Sequence, residues 1–313
     1  MNESTITHDR VLRSNLKLKH LQLLVALDQF RHLGRASEYL SLTQPAVSKT
    51  LAEVERLFGL PLFLRSTRGT EPTAHGLSVV RFARSVLADF ERTRDELAAV
   101  GSGAAGRVRV GAMVVATPGL LMRAIDALKA RSAQTTVLVE EGDLTRLLPR
   151  LRLGELDVLV ARLEPGYAAP DLETEALYDE PMCIVCSPGQ ALAGKRRVAW
   201  DDLARQPWVM PPPWASSRIK LNQLFYKQQL NPPVDVIETA SFLVTLACLR
   251  ERAALGFWAR SVALHYQQQG LVQVLPVKLP MDLPPVGLIL LRGRLRTPAC
   301  QQMVDCLRQA VPG

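Results

Sequence analysis

Several features are scarce or missing in this sequence of 313 residues. No segment approaches the roughly 18 to 20 consecutive apolar residues that a membrane span requires. Residues 1–9 lack the charged and then apolar layout of a signal peptide. We therefore expect a cytoplasmic protein without a membrane partner, and its length suggests two or three structural units.

Cysteine is also sparse, with five residues scattered at positions 183, 186, 248, 300 and 306. The odd number argues against a disulfide framework. Cys183 and Cys186 form a C-x-x-C pair, but their surroundings are typical of a buried strand, in which positions three apart point to opposite faces. With no second pair and no nearby histidine cluster, we expect no metal and no cofactor. Core thiols are the favoured interpretation, and a redox sensor at Cys183 or Cys248 is the alternative.

Catalytic motifs are missing as well. No G-x-G-x-x-G opens a helix after a strand, and neither a phosphate loop nor a G-x-S-x-G elbow is present. Four of the five histidines, at 8, 20, 32 and 75, lie in the N-terminal segment, and only His265 lies beyond it. The larger C-terminal part therefore has no evident general base, and the sequence predicts a protein that is not an enzyme.

The most informative segment that is present runs from residue 34 to residue 73. Thr43 is placed to cap a helix, and Pro45 falls in its first turn, where a missing N–H has little effect. Apolar residues then recur at spacings of four, three and four and form a stripe on one helix face, at Val47, Leu51, Val54 and Phe58. The opposite face carries Gln44, Ser48 and Lys49, polar groups that suit base edges and phosphates.

The flanking residues complete a helix-turn-helix with a wing. A first helix is indicated by Leu21 to Phe30, and a short second helix by Ala36 and Leu40, after Gly34. Arginines at 65 and 68 bracket a polar pair, and Gly69 permits a tight reversal between two short strands. A helix pair of this kind also occurs in all-α domains that bind nothing. Residues 10–70, however, hold ten Lys and Arg against four Asp and Glu, which gives +6 of the chain's total charge of +8.

These residues carry a resemblance to a known family. They are Arg35-Ala36, Thr43-Gln44-Pro45-Ala46-Val47-Ser48, Glu53-Val54-Glu55, Leu57-Phe58-Gly59, Leu62-Phe63, Arg65, Arg68, Thr73 and Gly76. Over essentially its full length the chain resembles the LysR-type transcriptional regulators. Residues 18–28 and 31–35 are similar to the branch that regulates sugar-binding-protein and aromatic-acid catabolic genes. The chain departs from the family pattern at Leu64, Pro72 and Gly34.

The resemblance implies double-stranded DNA as a partner and a set of contact residues. These are Arg35, Thr43, Gln44, Pro45, Ser48, Lys49, Arg65, Thr67 and Arg68. It also implies contact with RNA polymerase at a nearby promoter, and assembly as a homodimer or as a tetramer formed by two dimers. On this basis residues 14–73 form a winged helix-turn-helix domain.

Residues 74–100 are expected to form one long helix. They contain no proline and only Gly76, and Val80, Ala83, Leu87, Phe90 and Leu97 recur at heptad spacing. So narrow a stripe favours pairing with a second copy as a coiled coil. The alternative is packing against the helix's own chain. A dimer would place two recognition helices on a near-palindromic site.

Beyond this helix, residues 101–107 are predicted to be a glycine-rich hinge, and the pattern then changes to alternating strands and helices. Such alternation predicts mostly parallel sheets. We expect an α+β multi-domain chain whose sensor has two lobes and resembles type-II periplasmic binding proteins. Lobe 1 comprises residues 108–180 and 283–313, and lobe 2 comprises residues 181–282.

Ligands of α/β sheets bind beyond the carboxyl ends of strands, where helix N-termini point. The candidate effector-binding residues at such places are Met113, Thr117, Gly142, Arg162, Trp214, Ser216, Ser217, Ser241, Phe242 and Phe257. Hydroxyls, helix dipoles and Arg162 or Arg218 would suit a small carboxylate. Thr117, Ser216 and Ser241 are equally good helix caps, and Arg218 could be a solvated surface charge.

Three functions are compatible with a two-lobed α/β body. The leading hypothesis is a ligand-responsive transcriptional regulator with a small-molecule effector in the cleft between the lobes. A cytoplasmic two-lobed α/β enzyme acting on a small carboxylate is the alternative. A transport binding protein is the third, but it would need a secretion signal and leaves the first hundred residues without a purpose.

Overall fold

The computed structural model describes residues 16–66, 69–102 and 106–311. They form two compact units. The first ends at Ala98 and includes Arg152–Glu155, and the second is built from Ala99–Leu151 and from the residues from Leu156 onward. Nowhere in the described ranges is there a helix long and apolar enough to cross a membrane.

The first unit has the winged helix-turn-helix arrangement that the sequence predicts. Its helices are α1 (Leu18–Phe30), α2 (Leu33–Tyr39), α3 (Gln44–Phe58) and the long α4 (Ala74–Ser102). Its strands are β1 (Phe63–Ser66) and β2 (Gly69–Pro72), which pair antiparallel. The long helix extends into the segment 101–107 that was predicted to be a hinge, and residues 103–105 lie outside the described ones.

Local sequence signals place the recognition helix α3 as expected. The hydroxyl of Thr43 accepts the backbone N–H of Ala46 at 3.3 Å, and Gly59 ends the helix in the left-handed region at φ 67°. Side chains of the predicted stripe, such as Val47 and Leu51, are fully buried. The short helix α2 begins at Leu33, two residues earlier than predicted, because the ring of His32 accepts the N–H groups of Gly34 and Arg35.

The prediction for α4 was wrong over its first half. Val80 and Ala83 are buried in the core of their own unit, and Leu87 packs against that core. They cannot form a seam with a second copy. These apolar residues do form one helix face, but that face packs against the core of its own unit and not against a second copy. The spacing alone does not separate the two, because a core-facing stripe and a coiled-coil stripe have similar spacings. Further along the helix, Phe90 and Leu97 are exposed.

The second unit contains two five-stranded sheets. Its strands are β3 (Arg107–Ala112), β4 (Thr136–Glu141), β5 (Val158–Arg162), β6 (Leu172–Tyr178), β7 (Met182–Cys186), β8 (Trp208–Met210), β9 (Val236–Glu238), β10 (Leu255–Ala259), β11 (Gln273–Val274) and β12 (Val286–Leu291). Its helices are α5 (Met122–Arg131), α6 (Leu144–Leu153), α7 (Trp200–Ala204), α8 (Ser216–Lys227), α9 (Phe242–Glu251), α10 (Arg260–Gln268) and α11 (Pro298–Gln309). The sheet of lobe 1 has the order β4-β3-β5-β12-β6, and that of lobe 2 the order β11-β7-β10-β8-β9.

Each sheet is mostly parallel, as expected, because four of its five strands run in one direction and a single strand, β12 or β7, runs against them. Strands β3, β4 and β5 are parallel, as are β8, β9 and β10, but β12 runs antiparallel to β5 and β6, and β7 runs antiparallel to β10 and β11. Strands β7 and β12 each follow a crossover between the sheets. No single strand-helix-strand unit joins either of them to a neighbour in its sheet, so the rule that makes such neighbours parallel does not apply to them.

The two lobes share apolar packing. One buried cluster contains Val110 and Val160 of lobe 1 together with Trp258 and Val262 of lobe 2. The turn Thr117–Leu121, a π-helical turn before α5, lies against α10 in this cluster. The crossovers run from Tyr178 to Met182 and from Val274 to Val286. The two lobes are therefore joined by apolar packing in which α10 of lobe 2 lies against the turns that follow β3 of lobe 1.

Candidate functional site

The predicted reading face of α3 is exposed to solvent. Thr43, Gln44, Pro45 and Lys49 are exposed, whereas Ser48 is half-buried. Arg35 on α2 and Arg65 on β1 are exposed as well. Thr67 and Arg68 lie outside the described residues. Polar and cationic groups therefore meet solvent at the N-terminal end of the recognition helix, which is the end that recognition helices present to DNA.

A side-chain contact brings the wing to this helix. The guanidinium Nη1 of Arg65 donates to the hydroxyl Oγ of Ser48 at 3.3 Å. The carboxylate of Glu55 accepts the N–H groups of Leu62 and Phe63, at 2.8 and 3.1 Å. The wing is thus fixed to both ends of α3, and Arg65 and Ser48 belong to one surface.

Two further residues of the winged helix-turn-helix motif, Thr73 and Gly76, have structural roles. Thr73 caps the long helix, because its hydroxyl accepts the N–H of Gly76 and donates to the carbonyl of Pro61, both at 2.9 Å. At Gly76 a Cβ would overlap the carbonyl oxygen of Leu62. Only glycine allows α4 to start this close to the strand that leads into the wing.

The first unit also buries a histidine that the sequence did not single out. His20 has no exposed surface, its Nδ1 accepts the N–H of Lys17 at 3.3 Å, and its Nε2 has no hydrogen-bond partner among the described residues. Burial lowers the pKa of His20 below its ordinary value, and the charge of Glu53 opposes this only in part.

The effector residues predicted on lobe 1 lie at the carboxyl ends of its parallel strands. Met113 follows β3, Gly142 follows β4, and Arg162 ends β5. Thr117 opens the π-helical turn, and its hydroxyl contacts the carbonyl oxygen of Met113 at 3.4 Å. The N–H of Gly142 donates to the carbonyl of Ala112 at 3.1 Å, so these turns are joined across the strand ends.

The effector residues predicted on lobe 2 differ in their exposure and in the hydrogen bonds that they already make. Trp214 is 67% exposed, and Ser216 and Ser217 open α8. The hydroxyl of Ser241 caps α9 by accepting the N–H of Val244 at 3.4 Å, so its alternative role as a cap is observed. Ser216 is not such a cap, because the N-cap position of α8 belongs to Ala215, which makes no side-chain capping bond.

Three aromatic side chains pack against one another in lobe 2. Phe242 packs against Trp258 and Tyr266, with ring centroids 4.8 and 4.9 Å apart. Phe257 does not belong to this group. It is 3% exposed and packs in the lobe 2 core beside Trp208, although the sequence predicted it as an effector contact. Alternate positions on a strand face opposite sides, and Phe257 faces away from Trp258.

Arg162, predicted as an effector contact, already has hydrogen-bond partners in the protein. It is buried, and its Nη1 and Nη2 donate to the carbonyls of Pro284 and Glu180, at 2.7 and 2.9 Å. These carbonyls belong to the two crossovers. The carboxylate of Glu180 in turn accepts the N–H of Ser261 at 2.9 Å, at the start of α10. Burial lowers the pKa of Arg162, and the guanidinium holds the crossovers together instead of facing a ligand.

Arg218 is buried too, which overturns its alternative interpretation as a solvated surface charge. It is 7% exposed, and its Nε donates to the amide oxygen of Asn222 at 3.1 Å. Its Nη2 lies 3.8 Å from the carboxylate of Glu238, at the end of β9. Burial lowers the pKa of Arg218. A cation therefore lies near the strand ends of lobe 2.

One residue that sequence reasoning missed connects the lobes. The hydroxyl of Ser216 donates to the carboxylate Oε1 of Glu164 at 2.5 Å. Glu164 follows β5 in lobe 1, and Ser216 begins α8 in lobe 2. A carboxylate thus already occupies the start of α8, where the sequence predicted the carboxylate of an effector. Its only sequence signal is its position two residues after the end of a strand.

The cysteine pair behaves as a pair of core thiols. Cys183 and Cys186 point into different apolar clusters on the two faces of β7. Burial raises the pKa of Cys183 to about 12 and that of Cys186 to about 11, so both thiols stay protonated and weakly nucleophilic. Within the described ranges no three His, Cys, Asp or Glu residues converge as a metal site would require.

Comparison with known proteins adds to this geometry. A family model described as "LysR substrate binding domain" matches residues 101–312, and one described as "Bacterial regulatory helix-turn-helix protein, lysR family" matches residues 18–77. HTH-type transcriptional regulator GbpR of Azospirillum brasilense is 32% identical over 302 residues, which cover 96% of this chain and 88% of that protein. HTH-type transcriptional regulator GalR of Pseudomonas putida is 29% identical, with 94% of this chain and 74% of that protein covered.

Solved structures share the fold. CbnR, a LysR family transcriptional regulator, superposes with a TM-score of 0.73 at 18% identity, over 95% of this chain and 100% of that one. Full-length CbnR in complex with its target DNA gives a TM-score of 0.72 at 19% identity, over 94% and 100% of the two chains.

Proposed function

The chain belongs to the LysR family and is a ligand-responsive transcriptional regulator, and we propose that it binds a near-palindromic promoter site as a dimer. The observation that supports DNA binding most directly is the contact between Arg65 and Ser48, which joins the wing and the recognition helix in one cationic surface. We further propose that the protein has no enzymatic activity and acts in the cytoplasm, where its DNA target is accessible.

Within the proposed interface the residues have different tasks. Gln44, Ser48 and Lys49 lie at the start of α3, where a recognition helix meets base edges in the major groove. Arg65 and Arg35 lie beside it and suit phosphate oxygens, with which a guanidinium forms paired hydrogen bonds. Thr43 and Pro45 fix the start of the helix. Base reading is thus assigned to α3 and grip on the backbone to the arginines.

The dimer is proposed to form through the exposed apolar side of α4. Phe82, Phe90 and Leu97 are 49%, 51% and 69% exposed. By their spacing they lie within one third of the helix circumference, with the half-buried Val86 between them. Exposed aromatic side chains aligned along a long helix are typical of a helix that pairs. A second copy of this helix is the proposed occupant, with a tetramer of two dimers as the larger assembly.

The effector is proposed to be a small carboxylate that binds at the start of α8. The support is that Glu164 already places a carboxylate oxygen on the Ser216 hydroxyl there. Backbone N–H groups at a helix start and the nearby Arg218 favour negative charge. Thr117, Met113 and Gly142 would contact the ligand from lobe 1, and Trp214, Ser217 and Phe242 from lobe 2. The roles of Ser241 and Arg162 are structural.

Effector binding at this position would act on the arrangement of the lobes. A carboxylate that takes Ser216 displaces Glu164 and removes a hydrogen bond between lobe 1 and lobe 2. An effector shifts such an equilibrium only by its difference in affinity for the two arrangements. We propose that the regulated output is contact with RNA polymerase at a neighbouring promoter.

The experiment that tests the proposal is recovery of the bound DNA. The full-length protein is crosslinked in its host, and the DNA attached to it is sequenced. We expect enrichment of a few promoter sites, each with two inverted half-sites about one helical turn or a multiple of it apart. Recovery of fragments without a shared inverted repeat would contradict the proposed dimeric reading.

A further inference from the structure

A chain of ion pairs runs through the first unit from the wing to the long helix. The Nη1 atom of Arg31 lies 2.6 Å from the carboxylate of Glu71, on strand β2 of the wing. Its Nη2 lies 2.8 Å from one carboxylate oxygen of Asp28, on α1. The other oxygen of Asp28 lies 3.0 Å from Nη2 of Arg84, on α4. Asp28 thus joins two arginines, one of which contacts the wing and the other of which belongs to the long helix.

The backbone of Arg31 is fixed to the wing as well. Arg31 ends α1 in the left-handed region, at φ 51°, and its carbonyl accepts the N–H of Thr70 at 2.9 Å. Gly69, at φ 137°, lies so close to this carbonyl that a Cβ would stand 2.5 Å from its oxygen. The wing strand is therefore fixed to the end of α1 by both the backbone and the side chain of one residue.

These ion pairs fix the position of the wing more than they stabilise the fold. The side chains of Arg31 and Glu71 are 40% and 65% exposed, and ion pairs in water contribute little to the free energy of unfolding. Asp28 differs, because its side chain is only 14% exposed and both of its oxygens are engaged. The Nε of Arg31 also donates to the backbone carbonyl of Asp28 at 2.6 Å, which leaves this guanidinium little freedom.

We propose that Arg31 and Asp28 are positioning residues for DNA binding, which set the wing at a fixed distance from the recognition helix and tie its position to α4. The route runs from α4 through Arg84, Asp28 and Arg31 to Glu71, and from the wing to the reading surface through Arg65. A movement of the paired long helices would then reach the wing arginine through side chains and not only through the backbone. This role does not depend on the identity of the effector.

A direct contact between Arg31 and a DNA phosphate is the competing explanation, and Arg31→Lys separates the two. Lysine keeps the charge and can still meet a phosphate, but its single nitrogen cannot reproduce the three contacts that Nε, Nη1 and Nη2 of Arg31 make with Asp28 and Glu71. The probe is the promoter duplex recovered by crosslinking to the full-length protein. The readouts are its affinity and the hydroxyl-radical protection of its flanks, where the wing lies. Arg81→Lys, an exposed arginine of α4, is the matched control.

A positioning role predicts that Arg31→Lys weakens binding by about two- to fivefold, the size of an exposed ion-pair energy, and lowers flank protection while central protection persists. Affinity and flank protection equal to those of Arg81→Lys would overturn the proposal. Glu71→Gln gives a second comparison. It also loosens the wing, so flank protection should fall, whereas a direct phosphate contact predicts that freeing Arg31 leaves flank protection equal or stronger.

The connection to α4 is tested by a double-mutant cycle. If Asp28 and Arg84 act on the wing through each other, Asp28→Asn and Arg84→Gln each lower flank protection, and together they lower it no further than the larger single effect. Additive effects would overturn the connection between α4 and the wing. Melting curves of all variants within a few degrees of the wild-type curve show that the readout reports position. A variant that unfolds is replaced by Arg84→Lys or Asp28→Glu, for which the same comparison holds.

Discussion

The guanidinium of Arg65 lies 3.3 Å from the hydroxyl of Ser48, so the wing and the recognition helix meet through their side chains before any DNA is bound. The two residues are separated by 17 positions and belong to different elements. Their contact makes the helix start and the wing a single surface, on which the residue proposed to grip the DNA backbone and a residue proposed to read bases are neighbours.

Gly76 is expected to resist substitution. A Cβ at this position would overlap the carbonyl oxygen of Leu62, so Gly76→Ala should lower the free energy of unfolding by about 1–3 kcal/mol, the usual penalty of overpacking. Gly119→Ala is the control, since nothing lies within 4 Å of a Cβ there. Urea unfolding of both variants checks the prediction, which fails if the two substitutions have equal effects.

Acid is expected to destabilise the first unit through His20. Burial holds its folded-state pKa below the unfolded value of about 6.5, so the unfolded chain binds more protons as pH falls. The stability that His20 contributes is therefore present above about pH 6.5 and is lost as pH decreases through the folded pKa. Urea unfolding at pH 7.5 and 5.5 should show this loss in the wild type and a smaller one in His20→Asn. Replacing His75, which is exposed, should leave the loss unchanged.

Self-association is expected to depend on the exposed side of α4. Phe90→Glu combined with Leu97→Glu places charges in the proposed pairing face, and sedimentation velocity should show a shift toward monomer. Leu77→Glu is the matched control, because Leu77 is 48% exposed but lies on another side of the helix. None of the three substitutions should affect folding, because exposed positions tolerate polar residues. An unchanged oligomer in the double variant would place the interface elsewhere.

Glu164 is expected to compete with the effector. In Glu164→Gln the charge that occupies the start of α8 is lost, so a carboxylate that binds there should gain about tenfold in apparent affinity, equivalent to one strong hydrogen bond. Thermal-shift titration with a panel of small carboxylates measures this, and Ser216→Ala should abolish the response. Glu173→Gln removes a carboxylate of lobe 1 that pairs with Arg296, and serves as the control. A ligand that responds equally to both glutamine variants binds somewhere else.

What the sequence predicted correctly is mostly local. The Thr43 cap, the Val47 and Leu51 stripe and the wing all depend on residues a few positions apart, and propensity and periodicity report such relationships. The opposite faces of Cys183 and Cys186 follow from strand geometry alone.

What the sequence did not predict depends on distant parts of the chain. The periodicity of Val80 and Ala83 is the same for a helix that packs on its own core and for one that pairs with a copy. The burial of Arg162 is decided by carbonyls of the two crossovers, at Glu180 and Pro284. The hydrogen bond of Glu164 with Ser216 joins residues 52 positions apart, on different lobes. No local pattern contains that information.

The salt dependence of DNA binding tests the central claim most directly. Affinity of the full-length protein for the crosslink-recovered duplex and for a scrambled duplex is measured across a series of salt concentrations, with Arg65→Ala, Ser48→Ala and, as a control, Lys227→Ala from the sensor unit. Arg65→Ala should reduce the slope of log affinity against log salt by about one. Ser48→Ala should keep the slope but lower the ratio between the affinities for the recovered duplex and for the scrambled duplex. Slopes and preferences equal to those of Lys227→Ala in both variants would contradict the assignment of this surface to DNA.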